Sequence, residues 1–367
     1  MGKLSDNIFN IFVFLNKIIK MNDKNLKILV TGANGYIGSL LCEKLNYQGY
    51  TVVGTDSGLI NNDCTFYENN KGLTRLKKDI RNIEADDLKG FYAICHFAAL
   101  SNDPLGEVDK TLTYDINYKA TINLLDKAIE AGVQRFIFSS SCSMYGITDQ
   151  FIVDENSPIA PLTAYAESKF FVERNLREKY SNKDINITVL RNSTAYGVSP
   201  MLRIDLVVNN LTGWAILEKK IKIMSDGTPW RPLIHVEDIA NAFIAVIESP
   251  EKNIRNAVFN VGVNEENYQV KDIADIIKQF LPDCEIVYTG ENGADSRSYK
   301  VNFDKIKEGL PNFKPVWDLK KGIIDLIEKY QTYNLSHDDF LSRKYIRLKQ
   351  VRYMMDNDFV DNKLFLK

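Results

Sequence analysis

The sequence predicts an α/β protein: a Rossmann-type, doubly wound parallel sheet with a smaller α/β C-terminal substrate lobe. Short apolar runs alternate with segments of helical periodicity between residues 26 and 190. This alternation is typical of a parallel sheet that helices cover on both faces. The first apolar run ends in a glycine-rich turn, and beyond residue 190 the rhythm loosens as Gly and Pro recur. These features favour one nucleotide-binding sheet followed by a lobe of loops, short strands and helices.

The predicted strands are short and apolar, and lie at Lys27–Thr31, Thr51–Thr55, Ala93–Phe97, Arg135–Ser139 and Ile187–Leu190. Helical segments between them include Ile37–Asn46, Tyr114–Ala131 and Ala164–Tyr180. We expect four parts: an N-terminal extension (1–25), a dinucleotide-binding domain (26–190), a lobe partly interleaved with it (191–335), and a helical tail (336–367). The tail has apolar residues at helical spacing, so we expect its helices to pack on the body or on a second subunit.

Composition excludes several classes of protein. The 367 residues are 45% hydrophobic, enough for a substantial core, and the formal net charge of −2 argues against a general nucleic-acid binder. An anionic ligand must therefore be held by a few placed cations. The five cysteines are scattered without metal-ligand spacing, and only three histidines are present. We therefore expect reduced intracellular thiols and no metal site.

The apolar stretch Ile8–Ile19 near the N-terminus is similar to the core of a signal peptide. Asn10, Asn16 and Lys17 interrupt it, and it is shorter than the ~20 apolar residues that cross a bilayer. We therefore expect a cytoplasmic protein without an integral membrane segment. A peripheral amphipathic anchor or a partner-binding helix is the alternative for this stretch.

The glycine-rich turn is the first candidate for a ligand site. It follows the first strand and opens a helix, and its candidate contacts are Gly32, Asn34, Gly35, Tyr36, Ile37 and Gly38. Glycines permit a tight turn and close approach of the backbone to a pyrophosphate, while the helix N-terminus offers N–H groups and a positive dipole. A turn of this kind is weak evidence by itself.

Two aspartates extend this candidate site. Asp56 follows the second strand, 24 residues after Gly32, where a carboxylate accepts hydrogen bonds from ribose hydroxyls and repels a 2′-phosphate. This position therefore favours NAD over NADP. Asp79 and Ile80 follow a third candidate strand, where they could hold the adenine amino group. For each aspartate, a purely structural role in a turn is the alternative.

Tyr165 and Lys169 stand at i and i+4 of a predicted helix and therefore share one face. A tyrosine with its ordinary pKa of ~10 is a poor base, and a nearby ammonium lowers that pKa by stabilising the phenolate. The same lysine can bond a nicotinamide ribose. Ser141 ends an apolar strand that also carries Ser139 and Ser140, 24 residues before Tyr165. We predict that Ser141 shares the proton that Tyr165 moves, with completion of a turn as the alternative.

With these elements in this order, the sequence resembles the extended short-chain dehydrogenase/reductase family, in the branch of nucleotide-sugar epimerases and dehydratases close to UDP-glucose 4-epimerase. The matching elements are Thr31–Gly38, Asp56, Asp79, His96–Ala99, Asn117, Ser139–Gly146, Tyr165–Lys169, Leu190–Gly197 and Arg231–Asp238. They cover about residues 26–330, and their ordered co-occurrence is more specific than any single motif. The resemblance implies an NAD-binding Rossmann domain, a small sugar-nucleotide lobe, and a homodimer formed through the helices at Tyr114–Ala131 and Ala164–Tyr180.

The resemblance also implies roles for individual residues. Tyr165 would deprotonate a sugar hydroxyl while hydride passes to NAD, and Ser141 and Lys169 would assist. The cofactor would be lined by Ala98, Ala99, Leu100, Ser139 and Ser140, with Asn117 packed behind the site. The nucleotide-diphospho-sugar would be bound by Ser101, Asn102, Ser143, Asn192, Thr194, Arg231 and Arg297. Both arginines would grip the diphosphate, although a surface salt bridge is an alternative for Arg297, and a loop-stabilising Asx turn for Asn102.

One departure from the family bears on the reaction. 4,6-Dehydratases carry an Asp-Glu acid/base pair directly after the Ser/Thr position, where this sequence has Cys142 and Ser143. We therefore predict epimerisation of a nucleotide-diphospho-sugar through transient oxidation at C4. A 4-dehydrogenase or ketoreductase with net redox change is the main alternative. The missing pair argues against a 4,6-dehydratase, and intact Tyr165 argues against a non-catalytic NAD-binding subunit.

Overall fold

The computed structural model describes residues 26–60, 62–68, 73–147, 151–289 and 297–367. The predicted N-terminal extension (1–25) lies outside these ranges. The strands are β1 (Lys27–Thr31), β2 (Thr51–Thr55), β3 (Thr74–Leu76), β4 (Ala93–His96), β5 (Arg135–Ser141), β6 (Ile152–Val153), β7 (Asn186–Asn192), β8 (Thr194–Tyr196), β9 (Lys220–Ile223), β10 (Trp230–His235), β11 (Ala257–Val261), β12 (Asn267–Gln269), β13 (Glu285–Tyr288) and β14 (Lys300–Val301).

The α-helices are α1 (Tyr36–Tyr47), α2 (Ala85–Leu88), α3 (Asp103–Gly106), α4 (Lys110–Tyr114), α5 (Ala120–Glu130), α6 (Ala164–Asn175), α7 (Val207–Glu218), α8 (Val236–Glu248), α9 (Glu251–Ile254), α10 (Val270–Phe280), α11 (Asp304–Gly309), α12 (Leu319–Thr332), α13 (His337–Leu341) and α14 (Arg347–Asp356). Single π-helical segments, Asp115–Lys119 and Leu176–Tyr180, interrupt or extend the helices predicted at 114–131 and 164–180.

The central sheet has seven parallel strands in the order β11-β7-β5-β4-β1-β2-β3. The chain moves from β1 through β2 to β3 on one side and then crosses to β4 on the other side of β1. A crevice therefore opens beyond the carboxyl ends of β1 and β4, which is where doubly wound sheets bind ligands. The predicted Rossmann-type fold class is confirmed.

All five predicted strands belong to this sheet, although β5 and β7 run on to Ser141 and Asn192, beyond the apolar residues that predicted them. The seventh strand, β11, comes from the second half of the chain and pairs with β7. Helix α8 returns as well and packs on α1, where Glu237 forms an ion pair with Lys44 at 3.1 Å. The two halves of the chain are thus interleaved through one strand and one helix.

The second lobe contains short strands around helices α7, α10 and α12. Strands β12, β10 and β8 form one small sheet, and β9 pairs with β13. Helix α10 begins at a capping box between Gln269 and Asp272 and buries Val270, Ile273, Ala274 and Ile277. Its apolar face joins residues of α7 and α12 in a separate core, so this lobe has a packed interior of its own.

The C-terminal tail is predicted to pack on the body or on a second subunit. In the structure, the tail packs on the body. Val351 and Met354 of α14 join Leu59, Leu100 and Leu105 in an apolar cluster. Within the described ranges, none of the helices is long and apolar enough to cross a membrane. All five cysteines are buried and free of disulfides.

Candidate active site

The carboxyl ends of β1, β4, β5 and β7 open into one cleft of about 1200 Å³. Pockets for a single small ligand measure roughly 300–1,000 Å³, so this cleft has space for a dinucleotide and a second ligand. Most of the predicted residues line it: Gly32, Gly35, Tyr36, Ile37, Gly38, Asp56, Asp79, Ile80, Ala98, Ala99, Leu100, Ser101, Asn102, Ser139, Ser140, Ser141, Ser143, Tyr165, Lys169, Asn192, Thr194, Arg231 and Arg297. Asn34 and Asn117 lie behind its wall.

The glycine-rich turn fits a phosphate-binding role. Gly32 has φ +70°, and a Cβ there would lie 2.9 Å from the backbone nitrogen of Ala98. At Gly38, a Cβ would lie 2.2 Å from the carbonyl oxygen of Gly32. The turn can therefore fold this tightly only with glycine at both positions. It brings the N-terminus of α1, with its dipole, to the cleft, and the residues present fit a dinucleotide diphosphate.

The carboxylate of Asp56 both caps a turn and faces the cleft. It accepts hydrogen bonds from the backbone N–H groups of Asn34 and Gly58, each at 2.9 Å. Burial raises the pKa of Asp56, and these two bonds act in the opposite direction. The structural and ribose-binding interpretations of this residue are therefore compatible. Asn34 also accepts a hydrogen bond from Arg75 through its side-chain oxygen, so this side chain braces the turn from outside the cleft.

Asp79 is held in the same way. Its carboxylate accepts bonds from the backbone and side chain of Arg81 and forms an ion pair with it at 2.8 Å. Ile80 is buried beside it and lines the cleft. This edge is rigid before any ligand binds, because the carboxylate is already fixed by several charge-assisted hydrogen bonds.

Asn117 is buried, and its side chain clamps the loop that follows β4. Its amide oxygen accepts from Leu100 N at 2.8 Å, and its amide nitrogen donates to Leu100 O and to Ser168 Oγ. It therefore positions the cleft wall instead of lining it. His96 acts similarly, since its ring nitrogens bond Thr31 and Thr121.

Tyr165 and Lys169 lie on the face of α6 that borders the cleft. The helix begins at Thr163, whose hydroxyl oxygen accepts from Ala166 N at 3.2 Å. Lys169 is 3% exposed and donates to the carbonyl oxygen of Ser139 at 2.8 Å. Its Nζ lies 5.8 Å from the centre of the Tyr165 ring. Ser141, at the end of β5, lies within hydrogen-bonding reach of the Tyr165 hydroxyl and lowers its pKa.

Burial sets the acid/base state of this pair. Burial raises the pKa of Tyr165 to about 12, against smaller lowering effects of Ser141, Arg203 and Arg297. Burial also lowers the pKa of Lys169 to about 7, while Glu173 on the next turn raises it. Both shifts disfavour the charged form of the side chain. A positive charge bound beside the phenol would counteract the shift of Tyr165.

Two polar atoms of residues that line the cleft near Ser141 have no hydrogen-bond partner among the described residues: Ser143 Oγ and Asn192 Oδ1. The amide nitrogen of Asn192 is engaged, since it donates to Ser139 Oγ at 3.0 Å. Buried polar atoms without partners are costly. A ligand with several hydroxyl groups would satisfy them.

Arg231 and Arg297 lie next to each other at the rim. Arg231 Nη1 donates to the backbone oxygen of Arg297, and Arg297 forms an ion pair of 2.8 Å with Asp103. The salt bridge considered for Arg297 is therefore present, and its side chain also lines the cleft. Asn102 caps α3 through its amide oxygen and donates to Asp205 through its nitrogen. Its oxygen is thus used by the loop, as in the Asx alternative, and its nitrogen ties the loop to Asp205.

Sequence reasoning missed several charged residues of the cleft, among them Arg203, Asp205 and Arg347. Arg203 forms two bonds of 2.9 Å to Asp205. The spacing Arg-x-Asp after the turn at residues 197–200 offered a weak signal for this pair. Arg347 lies in the C-terminal tail, where nothing in the local sequence indicates a ligand.

The sheet topology, the glycine turn and the shared cleft define the class of this protein: a Rossmann-type enzyme that uses a dinucleotide. Residues 28–262 match the model of the NAD dependent epimerase/dehydratase family. The chain belongs to this family, and NAD is its cofactor. The resemblance that the sequence motifs indicated is confirmed.

Relatives within the family agree with this assignment. The UDP-glucose 4-epimerase of Rhizobium meliloti (strain 1021) is 29% identical, over 81% of this chain and 94% of its own length. The solved UDP-glucose 4-epimerase of Thermotoga maritima, with UDP-glucose, has 25% identity and a TM-score of 0.72, covering 84% of this chain and 99% of that one. MoeE5, solved with UDP-glucose and NAD, has 26% identity, a TM-score of 0.72, and coverage of 84% and 100%.

Proposed function

We propose that this chain epimerises a nucleotide-diphospho-sugar at C4. The observation that carries the proposal is the grouping of Ser141, Tyr165 and Lys169 at the carboxyl end of β5, beside unpartnered polar atoms. When bound, NAD supplies the hydride acceptor and a positive charge. Tyr165 would accept the proton of the C4 hydroxyl, and Ser141 would hydrogen-bond that hydroxyl. Lys169 would hold a ribose hydroxyl and, when charged, favour the phenolate.

Return of the hydride to the opposite face of the sugar completes an epimerisation. The keto-sugar must then turn while its diphosphate stays bound. Arg231 and Arg297, which we propose as the diphosphate contacts, line the cleft and are more exposed than the buried Lys169. Such an arrangement would anchor one end of the ligand and leave the sugar free to rotate.

Elimination of water is disfavoured by the residues that follow Ser141. Cys142 is buried, its thiol donates to the carbonyl oxygen of Arg191 at 3.2 Å, and burial raises its pKa to about 12. Ser143 contributes only a hydroxyl. Neither residue is a carboxylic acid that could protonate a leaving hydroxyl group.

The names of the relatives make UDP-sugars the first substrates to test, followed by GDP-, CDP- and dTDP-sugars. Purified protein should convert one such sugar to its C4 epimer without accumulating free NADH. Stoichiometric NADH would instead identify a 4-dehydrogenase, consumption of added NADH a ketoreductase, and loss of one water from the product a dehydratase.

Tyr165→Phe tests the proposed mechanism. Loss of the general base should lower turnover by roughly 10²–10⁴-fold, while bound NAD is retained. Tyr47→Phe is the matched control, because Tyr47 is 94% exposed. Unchanged turnover in Tyr165→Phe would refute the role assigned to Tyr165.

We also infer a homodimer, with the helices around 114–131 and 164–180 at its interface. The rings of Tyr114 and Tyr118 lie 5.9 and 5.7 Å from Phe171 on these neighbouring helices, in a partly accessible aromatic group. Light scattering should give twice the chain mass, and Phe171→Glu should reduce it to that of one chain.

A further inference from the structure

The C-terminal tail returns to the cofactor side of the cleft. Its residues Ile346–Leu348 and Val351 line the same cavity as the glycine-rich turn. Gln350 donates to the carbonyl oxygen of Leu59 at 3.0 Å, and Arg81 lies 3.6 Å from the centre of the Phe365 ring. Both contacts lie next to Asp56 and Asp79, so the tail covers the edge proposed for the adenosine.

The tail lies outside the part of this chain that matches the family model. That match covers residues 28–262, and the relatives above match 81–84% of this chain and 94–100% of their own lengths. A contribution of the tail to the cleft would therefore come from beyond the segment that defines the family.

The tail carries a buried cation into the cleft. Arg347 is 3% exposed, and its Nη2 donates to the carbonyl oxygen of Met201 at 2.6 Å. Among the described residues, no carboxylate lies within salt-bridge distance of it. The neighbouring Arg203 is 8% exposed and already shares its charge with Asp205. Two buried guanidinium groups, those of Arg347 and Arg203, therefore lie near each other, and only one carboxylate, that of Asp205, is paired directly with either of them among the described residues. This arrangement is unfavourable unless an anion binds between the two guanidinium groups.

The position of Arg347 indicates which anion it meets. Met201, which it holds, donates its N–H to Ser199 Oγ, and Ser199 donates to the carbonyl oxygen of Tyr36, the first residue of α1. Burial raises the pKa of Tyr36, of Asp56 and of Tyr165. The charge of Arg347 opposes this effect at Tyr36, together with Arg203, and at Asp56, whereas Arg203 and Arg297 oppose it at Tyr165. Arg347 therefore lies on the phosphate-turn side, and Arg297 on the sugar side.

We propose that Arg347 binds the diphosphate of NAD, opposite the N-terminus of α1 and beside Arg203. The tail would then close over the cofactor, and release of NAD would require the tail to leave Leu59 and Arg81. Because the family match at residues 28–262 includes the glycine-rich turn but not the tail, the tail would add retention of NAD to a turn that already binds it. The inference rests on NAD as the cofactor and on no particular sugar or reaction.

The test measures cofactor binding directly in the full chain. NAD is removed from wild type, Arg347→Gln, Arg347→Lys and Arg352→Gln, and its rebinding is measured by calorimetry together with its dissociation rate. Arg352 is exposed on the same helix and is the matched control. Loss of one charge-assisted contact should weaken NAD binding about 10- to 100-fold in Arg347→Gln. Arg347→Lys should be intermediate, because it keeps the charge without the planar fork, and Arg352→Gln should match wild type.

Three results would overturn the proposal. The first is unchanged NAD affinity in Arg347→Gln. The second is a raised KM for an accepted nucleotide sugar with unchanged NAD binding, which would assign Arg347 to the substrate diphosphate. The third is an equal loss of thermal stability with and without NAD, which would indicate a structural residue only. Failure of the epimerase assay leaves all cofactor measurements intact, so the two proposals fail independently.

Discussion

The half of the cleft that we propose for the cofactor and the half that we propose for the sugar are built differently. On the cofactor side, the carboxylates of Asp56 and Asp79 already accept backbone or arginine hydrogen bonds. On the proposed sugar side, the Oγ atom of Ser143 and the Oδ1 atom of Asn192 are buried without a partner among the described residues. Preorganised carboxylates suit one constant ligand, since their side chains need no rearrangement when it binds. The unsatisfied half leaves its hydrogen bonds to be completed by the substrate.

The strongest test of the rigid half is Gly38→Ala. The new Cβ would lie 2.2 Å from the carbonyl oxygen of Gly32, a backbone atom that cannot move without opening the turn. We expect a loss of about 2–4 kcal/mol in the free energy of unfolding, together with loss of NAD binding. Urea unfolding and cofactor titration measure the two effects.

Gly132→Ala is the control for this substitution. Gly132 has φ +76°, and a Cβ there meets nothing within 4 Å. It should cost only about 1–2 kcal/mol of backbone strain and leave NAD binding unchanged. Equal NAD affinities in the two variants would show that the turn tolerates a side chain and that the cofactor half is less rigid than we argue.

The same contrast explains what the sequence could predict. The strand ends that carry Gly32, Asp56, Ser141 and Asn192 adjoin apolar runs, so local pattern located both the strands and their functional ends. The strand β11 (Ala257–Val261) was missed because it lies in the Gly/Pro-rich half, beyond the strand–helix alternation that located the other strands. Arg347 was missed for a different reason: it approaches Arg203 from 144 residues further along the chain. Only tertiary packing brings them together.

Lys169 lies in the cleft between the two halves. Its titration can be followed through the pH dependence of the free energy of unfolding. Burial lowers its pKa to about 7, from an ordinary value of ~10.4. Between these two pH values the unfolded chain keeps a proton that the folded protein has lost. The folded state is therefore stabilised as pH rises through this range, and the unfavourable effect of burying the ammonium is greatest at pH 7 and below.

Lys169→Met removes this proton from both states. In cofactor-free protein, the stability of wild type relative to the variant should rise with pH, by at most about 1.4 kcal/mol for each unit between pH 7 and 10. Urea midpoints at pH 7, 8 and 9 measure the slope. Lys320→Met, at an exposed position on α12, should show none. A slope of zero for Lys169→Met would mean that this lysine keeps an ordinary pKa in the folded protein.

The smallest effect is expected on the sugar side, from Asn192→Ala. If a sugar hydroxyl donates to the unpartnered Oδ1, its loss removes one neutral hydrogen bond of about 0.5–1.5 kcal/mol and raises KM by roughly 2- to 13-fold. NAD affinity should change less, because Asn192 reaches the cofactor side through Ser139 and Ser140. Asn186 is the matched control: it begins the same strand, β7, and its Oδ1 also lacks a partner among the described residues, but it does not line the cleft. Equal KM values for Asn186→Ala and Asn192→Ala would show that the unpartnered amide oxygens in this strand do not contribute to substrate binding. The contrast between the two halves of the cleft would then rest on the cofactor side alone.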